Sequence, residues 1–249
     1  MIKWHIGCSG FYYKHWKNIF YPEGMAQSKW FDYYAQHYKS LELNGTFYRA
    51  PTAASLKKWY DTSPPDFSFA VKAPQGITHY KKFNGAGELI ERFYGIVEEG
   101  LKEKLGVVLF QLPPNFVYTE VHLAAILNDL DPSFTNVVEF RHDSWWTDDV
   151  YQKLAEKNIS FCGISHPTLP DAVIQNTPSL YFRFHGVEHL YSSEYSIENL
   201  VRFVQLVKNT SAQKAFVYFN NDIGGAAVKN AEELIRLAAD KDFEKIVRL

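Results

Sequence analysis

Cysteine is scarce in this sequence of 249 residues, which contains only Cys8 and Cys162. The two are 154 positions apart and no CxxC pair occurs, so the sequence predicts neither a disulfide framework nor a structural zinc site. This cysteine usage is typical of a protein from a reducing compartment.

Long hydrophobic runs are also missing. No segment approaches the roughly 20 apolar residues of a membrane span, and the start, MIKWHIGCSG, has no apolar run of signal-peptide length. The formal net charge of −2 argues against a surface coated in positive charge for general nucleic-acid binding, although a local basic patch is compatible with it. We therefore expect a cytoplasmic protein with no membrane association; its oligomeric state is left open.

Short apolar runs rich in β-branched and aromatic residues recur along the chain. They are almost continuously apolar, as strands covered on both faces are, and most are too short for helices. The predicted strands are WHIGC (4–8), SLELNGTF (40–47), FSFAVKA (67–73), GVVLFQL (106–112), NVVEFR (136–141), SFCGIS (160–165), SLYFRFH (179–185) and AFVYFN (215–220).

Helical patterns separate these runs, and Thr52 and Ser196 are suitable N-cap residues for two of them. Leu89, Phe93 and Ile96 fall on one face of the predicted helix that follows the third strand. Eight strand–helix units in about 250 residues predict an α/β fold, a (β/α)8 TIM-type barrel formed as a single domain over residues 1–249. The connection after strand six contains three prolines and predicts a shortened or irregular unit. An open doubly wound sheet is the alternative, but neither a GxGxxG nor a GxxxxGK[ST] loop is present.

Polar residues follow the apolar part of nearly every predicted strand. Ligand sites of such barrels lie at the C-terminal strand ends, and alternate side chains point into the lumen. The residues predicted to face this site are Glu42, Asn44 and Thr46, then Tyr48, Lys72, Gln111, Glu139, Arg141, Arg183, His185 and Asn220.

Buried charges are costly unless paired, so these groups must neutralise one another or a ligand. We expect Glu42 to pair with Lys72, and Glu139 to pair with Arg141 or Arg183. A structural lattice of ion pairs closing the barrel is one interpretation, and a site for an anion or polar ligand is the favoured one.

Seven motifs, in chain order, resemble those of the YecE-like family, also known as domain of unknown function 72. They are GCSGFYYKHW followed by YP, LELNGTFYRAP, FAVKAP followed by TH, LFQLPP, VEFRHDSW, YFRFHG and VYFNN. The resemblance covers residue 4 to about residue 231 and implies a TIM-type barrel, but no particular activity. Lys81 and Lys82 follow the TH pair where more arginine would be expected. A phosphate there would therefore contact lysine ammonium groups and not the guanidinium groups that bind it in a bidentate way.

Three kinds of chemistry stay open. A divalent metal in a hydrolase or isomerase would draw on His79, Glu139, His142, His185 and Glu42, although Lys72 and Arg141 would repel it. Metal-free acid–base or glycosidic chemistry would use Glu42 and Glu139 as paired carboxylates, although their cationic neighbours should keep both ionised. An anion or nucleic-acid site would use the basic groups, with aromatic residues interleaved in FYYKHWK (11–17) and HYKKF (79–83).

The favoured hypothesis is an enzyme, with a hydrolase as one option, acting on a phosphate-bearing or nucleic-acid-like substrate in a mostly cationic pocket. Glu139 would be the general base, Glu42 would hold Lys72, and His79 or His185 would supply a proton. The remaining predicted substrate contacts are Lys72, Arg141, Arg183, Gln111, Asn220, Asn44, Tyr48 and Trp145. No cofactor is predicted firmly, a divalent metal being the one alternative, and a non-enzymatic protein that binds a small anion or nucleic acid is the other candidate.

Overall fold

Eight parallel strands follow one another around a closed barrel in chain order, in a computed structural model that describes residues 2–240 and residue 243. The fold is therefore the predicted (β/α)8 TIM-type barrel. The strands are β1 (Lys3–Ser9), β2 (Ser40–Leu43), β3 (Ser68–Lys72), β4 (Leu105–Gln111), β5 (Asn136–Glu139), β6 (Ile159–Ser165), β7 (Ser179–Phe184) and β8 (Lys214–Phe219).

The α-helices begin where apolar periodicity and local capping favour them. They are α1 (Trp30–His37), α2 (Gly45–Tyr48), α3 (Ala53–Thr62), α4 (Gly87–Leu101), α5 (Glu120–Asp129), α6 (Asp148–Glu156), α7 (Ile197–Lys208) and α8 (Ala226–Ala239). Thr52 caps α3 and Ser196 caps α7, each in a reciprocal capping box, which confirms both predicted N-caps. None of the helices among the described residues is both long and apolar enough to cross a bilayer.

The connection between β6 and β7 contains no helix. Residues 166–178 are all described, and their one regular feature is an antiparallel bridge between Ile164 and Ala172. Prolines remove the backbone donors that a helix needs, so the prediction of an irregular sixth unit is confirmed.

The chain divides into two compact units, Met1–Leu41 with Gly163–Leu249, and Glu42–Cys162. In the first, β8 pairs with β1 and with β7. In the second, β4 pairs with β3 and β5, and β5 pairs with β6. That the whole chain folds as one domain stays a prediction.

The second strand is shorter than expected. It ends at Leu43, and Asn44 is the N-cap position of the short helix α2, so the prediction of a strand up to residue 47 was wrong. Thr46 does not share a strand face with Glu42. Its hydroxyl donates instead to the carbonyl oxygens of Leu43 and Lys72. The Asn44–Gly45 pair, a common turn dipeptide, was the signal for this change of direction.

Candidate functional site

Three polar side chains of the second unit occupy the last positions of consecutive strands. Lys72 ends β3, Gln111 ends β4 and Glu139 ends β5, and Gln111 lies beside Glu139 in the ladder between β4 and β5. The C-terminal strand ends of a TIM barrel are where its active sites form. These three residues therefore define the floor of the candidate site.

Lys72 has both a polar and an aromatic partner. Its ammonium group donates to Oε1 of Gln111 at 2.6 Å and lies 4.1 Å from the ring centroid of Phe47. Both contacts favour the charged amine because the amide oxygen and the ring face are electron-rich. A lysine with only 9% of its surface exposed is thereby kept in a fixed position at the end of β3.

Glu139 pairs with Arg141, which is one of the two partners predicted for it. Nε of Arg141 donates to Oε1 of Glu139, and the Cys162 thiol lies 3.9 Å from Oε2. The glutamate is completely buried and the arginine side chain is 8% exposed. A buried carboxylate so engaged fixes the orientation of the guanidinium.

His79 lies on a π-helical turn, Gly76–Lys81, that follows β3. Such turns are rare and are found frequently at functional sites. The imidazole meets the Phe47 ring edge-on at a centroid distance of 4.8 Å, and its Nδ1 is 3.0 Å from the Thr78 hydroxyl. Phe47 therefore contacts both His79 and Lys72.

Burial and nearby cations lower the pKa of His79 to about 4. The charged groups that act on it are three cations and one carboxylate: Lys72, Lys82, Arg141 and Glu139. Both desolvation and positive neighbours disfavour the imidazolium form. The lowered pKa favours the neutral imidazole at pH 7. The role of His79 as a proton donor stays a prediction.

The turn that carries His79 ends in two consecutive residues with positive φ, Lys82 at 49° and Phe83 at 64°. Side chains with a Cβ rarely adopt this conformation, and each instance costs on the order of 1–3 kcal/mol. The ammonium group of Lys82 donates to Oδ1 of Asn115, at 3.0 Å, in the segment after β4. Strain of this kind persists where the surroundings hold a side chain in place.

The first unit contains three of the predicted site residues. Arg183 is on β7, His185 follows β7 and Asn220 follows β8. Arg183 is 1% exposed and His185 is completely buried. Nδ1 of His185 lies 3.0 Å from the amide nitrogen of Asn220, and its ring is 6.0 Å from that of His166. The site roles assigned to these three residues stay predictions.

The other predicted residues differ in exposure. Glu42 is completely buried on β2, and its pairing with Lys72 stays a prediction. Tyr48, at the end of α2, is 76% exposed. Trp145 is completely buried, stacks on Phe140 at 4.0 Å and donates from Nε1 to the carbonyl oxygen of Phe116. We therefore assign Trp145 to packing and leave it out of the proposed substrate contacts. It also lies in a short 3₁₀ turn, Asp143–Trp145, before α6.

The metal alternative requires a group of ligand side chains. Within the described part of the chain, no three His, Cys, Asp or Glu side chains are grouped so that they could hold an ion. The residues that the structure describes thus offer no ligand group for the metal alternative, and no step below is assigned to a metal.

Two residues of the site were missed at the sequence level. Phe47 was predicted to end the second strand and was given no role, and Cys162 was not considered beside Glu139. The register of β5 with β6, in which Val138 lies opposite Phe161, places Cys162 next to Glu139. That register is known only once the fold is known. The alternation of side chains within SFCGIS shows only which residues of the same strand lie on the same face as Cys162.

The family model described as "Protein of unknown function DUF72" matches residues 5–247. The chain belongs to the DUF72 family. This confirms the resemblance inferred from the seven motifs. The UPF0759 protein YunF of Bacillus subtilis is 27% identical over 262 aligned positions, covering 87% of this chain and 89% of YunF. The UPF0759 protein YecE of Escherichia coli K12 is 26% identical over 137 positions, covering 55% of this chain and 50% of YecE.

Solved DUF72 structures share the fold. The protein from Thermotoga maritima superposes with a TM-score of 0.84 at 28% identity, covering 99% of this chain and all of that one. A DUF72 protein from Enterococcus faecalis gives a TM-score of 0.81 at 21% identity, covering 97% of this chain and 96% of that one, and supports the fold alone.

Proposed function

We propose that the chain is a hydrolase that binds a phosphate-bearing substrate at the ends of β3, β4 and β5. The observation that carries this proposal is that two cations are held in place near the strand ends, Lys72 by Gln111 and Arg141 by Glu139. Both act on His79, which shares the Phe47 ring with Lys72. Excess positive charge in a partly desolvated site attracts an anion, and ammonium, guanidinium and imidazole groups are the usual partners of phosphate. We call Lys72, Lys82 and Arg141, together with the neutral His79 on which they act, the cationic cluster.

The assignment of roles follows burial. Glu139 is completely buried and already engaged by Arg141, so it acts as a positioning residue for that guanidinium rather than as the general base first expected. Gln111 positions Lys72 in the same way through its 2.6 Å hydrogen bond. His79 is only half-buried and neutral, and it becomes the candidate base.

A bound phosphate dianion would change His79. By offsetting the charges of Lys72, Lys82 and Arg141, it raises the pKa of His79 from about 4 toward the neutral range, in which proton transfer is most efficient. In this proposal water attacks phosphorus, its proton passes to His79, and the ester P–O bond breaks. The proton then leaves with the released alkoxide. A general base of this kind contributes about 10²–10⁴-fold to a rate.

Titration of inorganic phosphate into the protein, followed by NMR of the His79 imidazole, tests the anion site. We expect saturable binding that raises the pKa of His79. Lys82→Met should weaken binding, because Lys82 is one of the cations acting on His79, whereas Lys81→Met should not, because Lys81 is the exposed neighbour that donates to the Gly85 carbonyl. An unmoved His79 titration, or equal effects of both variants, would reject the site.

Turnover is tested separately with p-nitrophenyl phosphate and bis(p-nitrophenyl) phosphate. His79→Gln should lower the rate by about 10²-fold or more while leaving phosphate bound. Phosphate binding without hydrolysis of either ester would reject the hydrolase and support the non-enzymatic anion-binding protein.

A further inference from the structure

A mainly apolar groove of about 490 Å³ lies beside the cationic cluster in the second unit. Its walls come from α2, from the π-helical turn and from α4, and include Phe47, Tyr48, Tyr80, Leu89, Arg92 and Ile96. Its volume is that of a small-molecule site, for which about 300–1,000 Å³ is usual.

Phe47 joins the groove to the cationic cluster. Phe47 is one of the residues that line the groove, and its ring lies 4.1 Å from the Lys72 ammonium and meets His79 edge-on at a centroid distance of 4.8 Å. The groove and the cationic cluster are therefore neighbours that share the Phe47 side chain.

The apolar face of α4 is not fully covered. Phe93 is buried, but Leu89 is 41% exposed and, with Ile96, lines the groove instead of packing in the core. Tyr48 and Tyr80 at the rim are 76% and 75% exposed. Two exposed phenol rings and the Arg92 guanidinium in an otherwise mainly apolar lining are the groups on which a planar ring stacks favourably.

We infer that this groove binds the base of a nucleoside monophosphate whose phosphate lies on the cationic cluster. The inference rests on the proposed function and narrows its substrate class. This occupant is favoured because the proposed phosphate site and a surface suited to a planar ring share the Phe47 side chain. Base–aromatic stacking depends on the π face that every base has, so the groove selects for a planar ring more than for one base.

The test compares AMP, adenosine and inorganic phosphate by isothermal titration calorimetry on the full chain. We expect AMP to bind at least about tenfold more tightly than inorganic phosphate, because stacking adds to the phosphate contacts. Tyr80→Ala should remove about tenfold from AMP affinity and leave inorganic phosphate affinity unchanged. Tyr80→Phe keeps the ring and should bind AMP as the unaltered protein does, as should Val121→Ala, an exposed change on α5 outside the groove.

The outcomes separate the two proposals. Absence of inorganic phosphate binding overturns the anion site itself. Phosphate binding with no advantage for AMP, or an AMP affinity that Tyr80→Ala does not change, leaves the anion site standing and rejects the groove as a base site. A dimer seen by sedimentation that Tyr80→Ala converts to a monomer would also reject the base site, and would identify a second copy of the chain as the occupant of the groove.

Discussion

Arg141 donates from Nε to the carboxylate of Glu139, two residues earlier in the chain, and both side chains are removed almost completely from solvent. Loss of one partner of a buried ion pair leaves the other charge desolvated, which costs more than the pair itself contributes. Glu139→Ala should therefore lower the free energy of unfolding by about 3–5 kcal/mol in urea denaturation. Glu139→Gln, which keeps the side-chain volume, should cost less.

The double variant Glu139→Leu/Arg141→Met provides the control for this pair. Two apolar groups of similar volume remove both charges at once, so much of the lost stability should return. If the double variant is as unstable as Glu139→Ala, the cost comes from packing and not from the ion pair.

Lys72→Met should raise the pKa of His79, because Lys72 is the largest charged contribution to its lowering, after burial. Methionine keeps the length of the side chain and its contact with Phe47 while removing the charge. NMR titration of the imidazole measures the effect. Lys81→Met, on the same π-helical turn as His79, is the matched control and should leave the titration in place. An unchanged His79 in Lys72→Met would show that burial alone sets its pKa.

The low pKa of His79 also makes folding depend on pH. A neutral buried histidine with a folded pKa of about 4 binds fewer protons than the unfolded chain, whose histidines titrate near 6.5. Stability is therefore complete above about pH 6.5 and falls as pH decreases toward 4. After allowance for solvent screening of a half-buried group, the loss from His79 is about 1–2 kcal/mol.

Urea denaturation between pH 4 and pH 8 measures this dependence. His79→Gln should flatten part of the slope and leave the remainder that comes from His5, whose pKa is likewise lowered to about 4 by burial and by Lys3 and Lys214. A slope identical to that of the unaltered protein would mean that His79 takes up its proton without penalty.

Trp145 should be a structural residue. It stacks between Phe140 and Phe116 and satisfies its N–H on the Phe116 carbonyl oxygen. Trp145→Ala should lower the free energy of unfolding by about 3–5 kcal/mol, as expected for removal of a large buried aromatic side chain. Trp145→Phe should cost less and leave phosphate affinity unchanged. Reduced phosphate affinity in a fully folded Trp145→Phe variant would restore its predicted role in binding.

The barrel could be predicted because its signals are local. Alternating apolar runs, the caps at Thr52 and Ser196 and the prolines after β6 each act through neighbouring residues. The Glu139–Arg141 pair was predictable because its members are only two residues apart, although β5 ends at Glu139 and Arg141 lies just after it and not on the strand as predicted.

The state of His79 depends on groups that are distant in sequence. Lys72 and Arg141 act on it from 7 and 62 positions away, and no spacing rule connects them. The exposure of Leu89 is similar, because periodicity identifies an apolar helix face without showing whether another element covers it. The shift of Thr46 from strand to helix was missed because a β-branched residue between apolar neighbours is typical of a strand.

The π-helical turn at Gly76–Lys81 carries a consequence for how this site could change over generations. Such a turn holds one residue more than the α-helical turn it replaces, so deletion of a single residue there can restore regular winding. Each residue of an α-helix advances by about 100°, so loss of one residue between Gly76 and His79 would turn the imidazole away from Phe47. The contact between this histidine and Phe47 thus depends on the length of the turn as well as on the identity of its residues.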